Sequence, residues 1–185
     1  MSDLILVASS FGREQWAKDC SESLKRPHVV VVERGFEMGK LRWAMETTTA
    51  DRFVFVQDSV VVTDPAIFDR IAGCPGSICL NHTIGHFSNY AGVYERRVLE
   101  RVGLAVTPTK AGSVEGETRW TKNYLDWANE LSTVTCWGEV VQIVPGTQMR
   151  HGRENIVYST AFWTKYQAEW GQHSGEEMNR IHPEA

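Results

Sequence analysis

Short apolar runs alternate with longer stretches of helical periodicity in the first part of the chain. Leu-Ile-Leu-Val at 4–7, four valines at 29–32 and Phe-Val-Phe-Val at 53–56 are continuous rather than alternating, so each reads as a strand buried on both faces. Between them, Trp16, Cys20 and Leu24 recur at i, i+4 and i+8, which predicts a helix over 12–24 stopped by Arg26-Pro27. Met38, Leu41, Met45 and Thr48 predict a second helix over 36–48. Ser9 or Ser10 is placed to cap the first of these. Three strands joined by two amphipathic segments make a βαβαβ unit, and hence a parallel sheet with right-handed crossovers.

The remainder is more broken. Residues 60–62 continue extended, and Thr63-Asp64-Pro65 starts a short helix, with Thr63 or Asp64 as cap and Pro65 in the first helical position. Pro75-Gly76 turns into a strand over 77–80, and 81–90 reads as a loop. Ala91-Gly92-Val93-Tyr94 leads into a helix over 95–102 ended by Gly103, and 104–112 connects. Ser113 caps a long helix to about Leu131, with Glu115 and Glu117 in its first turn, where acids suit the helix dipole. Trp120, Tyr124 and Trp127 or Ala128 line one face of that helix. One bent or two short strands follow over 134–144, then a polar loop over 145–155 and an aromatic-rich stretch over 160–170. The expected organisation is one domain over 1–170 and a polar, fraying tail over 171–185.

With 185 residues the chain is long enough for one well-formed core, and its net charge of −4 argues against a protein held to nucleic acid mainly through phosphates. The four cysteines form no Cys-x-x-Cys pair, no leader pattern opens the chain, and no apolar run approaches a membrane span. These features predict a soluble cytoplasmic protein with free thiols. Core packing accounts for most of the seven tryptophans; Trp163, Tyr166 and Trp170 either close over a ligand or pack under the sheet.

Several familiar sites are missing. There is no Gly-x-Gly-x-x-Gly, Gly39-Lys40 lacks the upstream glycine of a phosphate loop, and no serine sits in a nucleophile elbow. His82 and His86 have the spacing of a zinc pair but fall in a loop with no glutamate between them. What remains is Asp58, just beyond the third apolar run, where open α/β sheets bind ligands. It is either a ligand-site acid or a polar stop to a strand. Ser9 and Ser10 face the same crevice unless they only cap. Gly92 in Asn89-Tyr90-Ala91-Gly92 lets backbone approach a ligand closely, and Arg150, His151 and Arg153 form a late basic cluster.

Acid, glycine loop, helix-start acids and histidine, in that order on a βαβαβ frame, resemble the GT-A glycosyltransferases. Gly35-Phe36-Glu37-Met38-Gly39-Lys40-Leu41-Arg42-Trp43-Ala44 and Phe53-Val-Phe-Val-Gln-Asp-Ser59 look like one passage of the large inverting family and of compact bacteriophage-encoded glycosyltransferases. His151-Gly-Arg-Glu-Asn-Ile-Val-Tyr158, with Lys165-Tyr166 and Trp170, is similar to the end of those short proteins. The resemblance implies a minimal GT-A-like, Rossmann-like α/β fold with a mixed, mostly parallel sheet flanked by helices, in the host cytoplasm if the protein is viral. It implies transfer of a sugar, hexosyltransferase-like and with inversion favoured, from a nucleoside-diphosphate donor to a hydroxyl of a virion protein or of a hydroxylated DNA base. Asp58 matches the first acid of the Asp-x-Asp motif that holds Mn²⁺ or Mg²⁺ on the diphosphate; Val60 replaces the second. His151 matches the late histidine of the metal shell. Ser9, Ser10, Lys40, Asp58, Ser59, Asn89, Tyr90, Gly92, Arg150 and Arg153 form the implied donor-binding set. Glu117, with Glu115 as runner-up, is the implied catalytic base. The alternatives are a non-catalytic nucleotide-sugar or glycan-binding module of the same fold, and a nucleotidyltransferase or nucleotide-sugar hydrolase. Independently of any family, the leaving diphosphate needs its charge met by a divalent ion or by Arg and Lys.

Overall fold

A computed structural model describes residues 1–32, 35–80, 82–83, 86–87, 91–104, 106, 110–137 and 152–167, with backbone only for 82–83, 86–87, 110–118, 136, 152–159 and 167. In chain order the elements begin β1 (Asp3–Ser9), α1 (Glu14–Leu24), β2 (Val29–Val32), α2 (Phe36–Thr47) and β3 (Arg52–Gln57), the βαβαβ unit that the apolar runs predict. β4 (Val60–Val62), α3 (Ile67–Ala72), β5 (Ser77–Cys79), β6 (His82–Thr83), β7 (His86–Phe87), β8 (Ala91–Glu95) and α4 (Arg96–Val102) follow. The chain then forms α5 (Lys110–Leu131), β9 (Val134–Cys136), β10 (Gly152–Ser159) and β11 (Trp163–Gln167).

The main sheet has the order β2-β1-β3-β8-β5-β9. β1 runs parallel to both β2 and β3, β5 parallel to β9, and β8 antiparallel to its neighbours β3 and β5. The mixed, mostly parallel Rossmann-like sheet expected from the sequence is therefore present. Strand alternation sorts its side chains into two cores. Ile5, Val7, Val54, Val56 and Val93 pack on the face of α1 and α3, with Cys20, Leu24, Ile67 and Ile71. Leu6, Ala8, Phe53, Phe55 and Tyr94 pack on the opposite face, with Leu41 and Ala44 of α2, Val98 and Leu99 of α4, and Trp120, Tyr124 and Ala128 of α5. Burial on both faces is what continuous apolar runs demand.

Several expectations are corrected. The valines of β2 are not buried on both faces: β2 is an edge strand, and Val30 and Val32 are 39% and 42% exposed. Residues 91–95 do not merely lead into a helix but form β8, central in the sheet. Residues 60–62 are extended as expected, but their partner is β11, which pairs with β10, in a second sheet. Residues 152–155, read as loop, belong to β10, while 82–83 and 86–87 form a small antiparallel pair. α5 starts at Lys110, so Ser113 lies inside it and no acid stands in its first turn. The α1 cap position is Arg13, with no side-chain cap bond, so neither serine caps that helix. Of the late aromatics, Trp163 is packed in the core. No helix among the described residues is long and apolar enough to cross a membrane.

Candidate functional site at the carboxyl ends of β1 and β3

The order β2-β1-β3 means that the chain leaves β1 toward one side and returns on the other. α1 packs on one face of the sheet and α2 on the opposite face. The two helices therefore diverge beyond the carboxyl ends of β1 and β3, opening the crevice where doubly wound sheets take ligands. Ser9 ends β1, and Asp58 follows β3 with its N–H donating to Ala8 O at 3.0 Å, as the ladder would continue. At Asp58-Ser59 the chain turns away into β4, which leaves the carboxyl at the sheet's end.

Asp58 is 1% exposed. Its Oδ2 accepts from Ser9 Oγ at 2.8 Å, and its Oδ1 is ion-paired with Arg13, which precedes α1. Lys165 reaches in from β11, donating to Gln57 Oε1 at 2.9 Å and to Ser59 Oγ. Gln57 Nε2 donates in turn to Glu37 Oε1 at 2.7 Å. Lys40, 3% exposed, donates to Phe36 O at 3.3 Å. The turn into α2 is strained: Gly35 and Phe36 have φ of 78° and 48°, and a left-handed phenylalanine is unfavourable. Such strain persists where surrounding structure over-determines it, and it clusters at ligand sites.

Burial lifts the Asp58 carboxyl above the usual carboxylate range, against the pull of Arg13, Ser9, Lys165 and Lys40. Burial, followed by the charge of Arg13, pushes the Lys165 ammonium down to about 7, against Asp58 and Glu37. The unfolded chain holds that proton up to about 10.5, so folding releases it across this interval and stability rises with pH from about 7 toward 10.5. Thermal unfolding over that range is expected to show a rising melting temperature whose slope is smaller in Lys165→Met. Below pH 7 the two profiles run parallel, because both states are protonated. Equal slopes above 7 would remove Lys165 as the source.

Of the residues singled out from sequence, Ser9, Lys40, Asp58 and Ser59 come together in this cluster. Ser10 lies beside it, buried, with its carbonyl accepting from Arg13 N at 3.2 Å. Gly92 does not: it sits within β8, registered between Phe55 and Cys79, rather than in a loop. Glu115 and Glu117 fall within α5 beyond its first turn, and Arg153 within β10. Asn89, Tyr90, Arg150 and His151 lie outside the described residues. Sequence reading missed Arg13 and Lys165 beside Asp58, and the Gln57–Glu37 pair that Lys165 joins. The helix-start position of Arg13 was a usable signal; nothing local marks Lys165, since β11 meets β4 only through tertiary pairing.

The donor set around Asp58 fits a divalent ion poorly. Its carboxylate oxygens face Arg13 and Ser9, and Lys165 and Lys40 add positive charge. Val60, where the Asp-x-Asp pattern has its second acid, is 1% exposed in the apolar core. Among the described residues no three of His, Cys, Asp and Glu group as metal ligands.

No family model matches the chain, and no significant match arises among curated proteins. Solved structures do superpose. The viral protein A197 from STIV matches with a TM-score of 0.50 at 9% identity, covering 94% of this chain and 98% of its own. That similarity is one of fold. The catalytic domain of Drosophila beta1,4galactosyltransferase 7, in complex with xylobiose, gives a TM-score of 0.48 at 10% identity over 97% of this chain and 80% of that one. The second score is too low to establish a common fold.

Proposed function

We propose that this protein transfers a sugar from a nucleoside-diphosphate donor to an acceptor hydroxyl. One observation carries the reading: a buried carboxylate, Asp58, bonded to Ser9 at the switch point between β1 and β3, with cations from three elements beside it. That position takes nucleotides in doubly wound sheets, and the charge suits a diphosphate. In the reaction the acceptor oxygen bonds to the anomeric carbon as the bond from that carbon to the β-phosphate oxygen breaks. The electron pair leaves with the diphosphate, and the hydroxyl proton passes to a base, for which Glu117 and then Glu115 are the candidates. Asn89, Tyr90, Gly92, Arg150 and Arg153 complete the proposed donor set. Asp58 and His151 are the residues that would hold Mn²⁺ or Mg²⁺, and the cations beside Asp58 oppose that role. The acceptor is a hydroxyl of a virion protein or of a hydroxylated DNA base. A binding module of the same fold is the second reading, favoured by the core position of Val60, which leaves Asp58 without its partner acid.

A thermal-shift panel of nucleotide sugars, with and without Mn²⁺, tests the donor site. A ligand at a hundred times its Kd stabilises by about 2.7 kcal/mol, a rise of about 5–11 °C for a domain of this size. If no nucleotide sugar raises the melting temperature, the donor reading is wrong. If one does so but is neither hydrolysed nor transferred, the binding module is the better description.

A further inference from the structure

We propose that Arg70, held against Trp137 and Phe162, docks a carboxylate from an acidic segment of a partner protein. The proposal does not depend on the sugar-transfer reading. Arg70 stands in the last turn of α3, Trp137 follows β9, and Phe162 precedes β11. The guanidinium carbon lies 4.7 Å from the centre of each ring. At this range a guanidinium is attracted to an aromatic face, and the contact restricts its plane. The rings are anchored in their turn. Trp137 N–H donates to Cys79 O at 3.2 Å, and Phe162 O accepts from the N–H groups of Thr63 and Asp64 at 2.7 and 3.1 Å. Both rings are partly buried against the core beneath α1 and α3. Three segments far apart in the chain thus hold one exposed arginine in place.

The hydrogen-bonding edge of that arginine is not used by the fold. Arg26, Arg42, Arg52, Arg96 and Arg97 all donate to protein oxygens. Arg70 makes no hydrogen bond or ion pair among the described residues, and its neighbour Asp69 turns to Arg26 at 2.7 Å instead. Ring contacts engage the faces of a guanidinium and leave its N–H edge, which fits the paired oxygens of a carboxylate or phosphate. The exposed carboxylate of Asp69 stands next in the chain, so a singly charged carboxylate meets less repulsion there than a phosphate dianion. Arginine grouped with tryptophan and phenylalanine is the composition of protein interfaces and their hot spots. Holding the fork before binding lessens the entropy lost when a partner engages it. The fitting segment therefore carries an Asp or Glu flanked by apolar side chains, which the rims of Trp137 and Phe162 receive.

The test selects short random peptides by phage display on the full chain, with Arg70→Met as a parallel bait, and then measures the best synthetic peptide by fluorescence polarisation. The expected consensus is an acid beside apolar residues, missing from the selection on Arg70→Met. Affinity is expected to fall by about tenfold or more in Arg70→Met, and equally when the peptide's acid is replaced by Gln, the scale of one lost charge-assisted contact. Arg70→Lys keeps the charge without the fork and is expected to bind more weakly than wild type. An unchanged melting temperature in both variants separates loss of binding from loss of fold. No acidic consensus, the same consensus on Arg70→Met, or full affinity in Arg70→Lys overturns the proposal. Tighter binding when the acid is replaced by phosphoserine overturns the carboxylate assignment.

Discussion

Arg52→Ala is expected to lower the unfolding free energy by about 3–5 kcal/mol, chiefly from backbone carbonyls left without a donor, at about 1–3 kcal/mol for each buried one. Arg52, 2% exposed, opens β3 at the end of the sheet away from Asp58. Its Nε and one terminal nitrogen grip both oxygens of Asp3 at 2.8 and 2.7 Å. The same guanidinium donates to the carbonyls of Ile71, Cys74 and Gly76 at 3.2, 2.5 and 3.2 Å, closing the end of α3 and the turn into β5. Removing it leaves a carboxylate and three carbonyls short of donors. Arg52→Lys preserves the charge but not the fork, so its loss falls between. Urea unfolding midpoints measure both. A loss in Arg52→Ala no larger than the roughly 0.5 kcal/mol of a surface change would show that this network contributes little.

Asp58→Ala is expected to cost a similar amount, about 3–5 kcal/mol, for a different reason. It strips the carboxylate from Arg13 and removes a charge that favours the ammonium of Lys165. Asp58→Asn keeps the volume and a bond to Ser9 while losing the charge, so it sits between wild type and alanine. The double variant Arg13→Met, Asp58→Leu replaces the pair with apolar groups and is expected to recover part of the loss. A double-mutant cycle gives the coupling directly. Additive effects would mean that the two side chains do not act as a pair.

The parts of this fold set by near neighbours were legible in the sequence. Trp16, Cys20 and Leu24 do face the core from α1, and Phe53 through Val56 are buried on both faces of β3. The place of Asp58 at a strand end was legible because it directly follows the apolar run of β3. What escaped depends on distant partners. Ala91–Glu95 is a short run with small residues ahead of a charged helix, and only its pairing with β3 and β5 makes it a strand. The bond from Lys165 to Gln57 spans 108 positions, beyond any periodicity argument. Four valines looked like a central strand because composition cannot distinguish a sheet's edge from its middle. The helix-start reading of Glu115 and Glu117 failed because a serine that suits a cap also tolerates a helix interior, and Lys110 to Gly112 precede it within α5.

The reversed strand β8 has a consequence for biogenesis. β1, α1, β2, α2 and β3 leave the ribosome in succession, and each strand pairs with one already made. The far edge of β3 is different. It stays open until residues 91–95 arrive and turn back along it, because β8 alone joins β3 to β5. During that interval a Phe-Val-Phe-Val strand presents unpaired N–H and C=O groups, the kind of edge that recruits other chains. The nascent protein is therefore most exposed to aggregation while the segment between β3 and β8 is being synthesised, and docking of β8 ends that exposure.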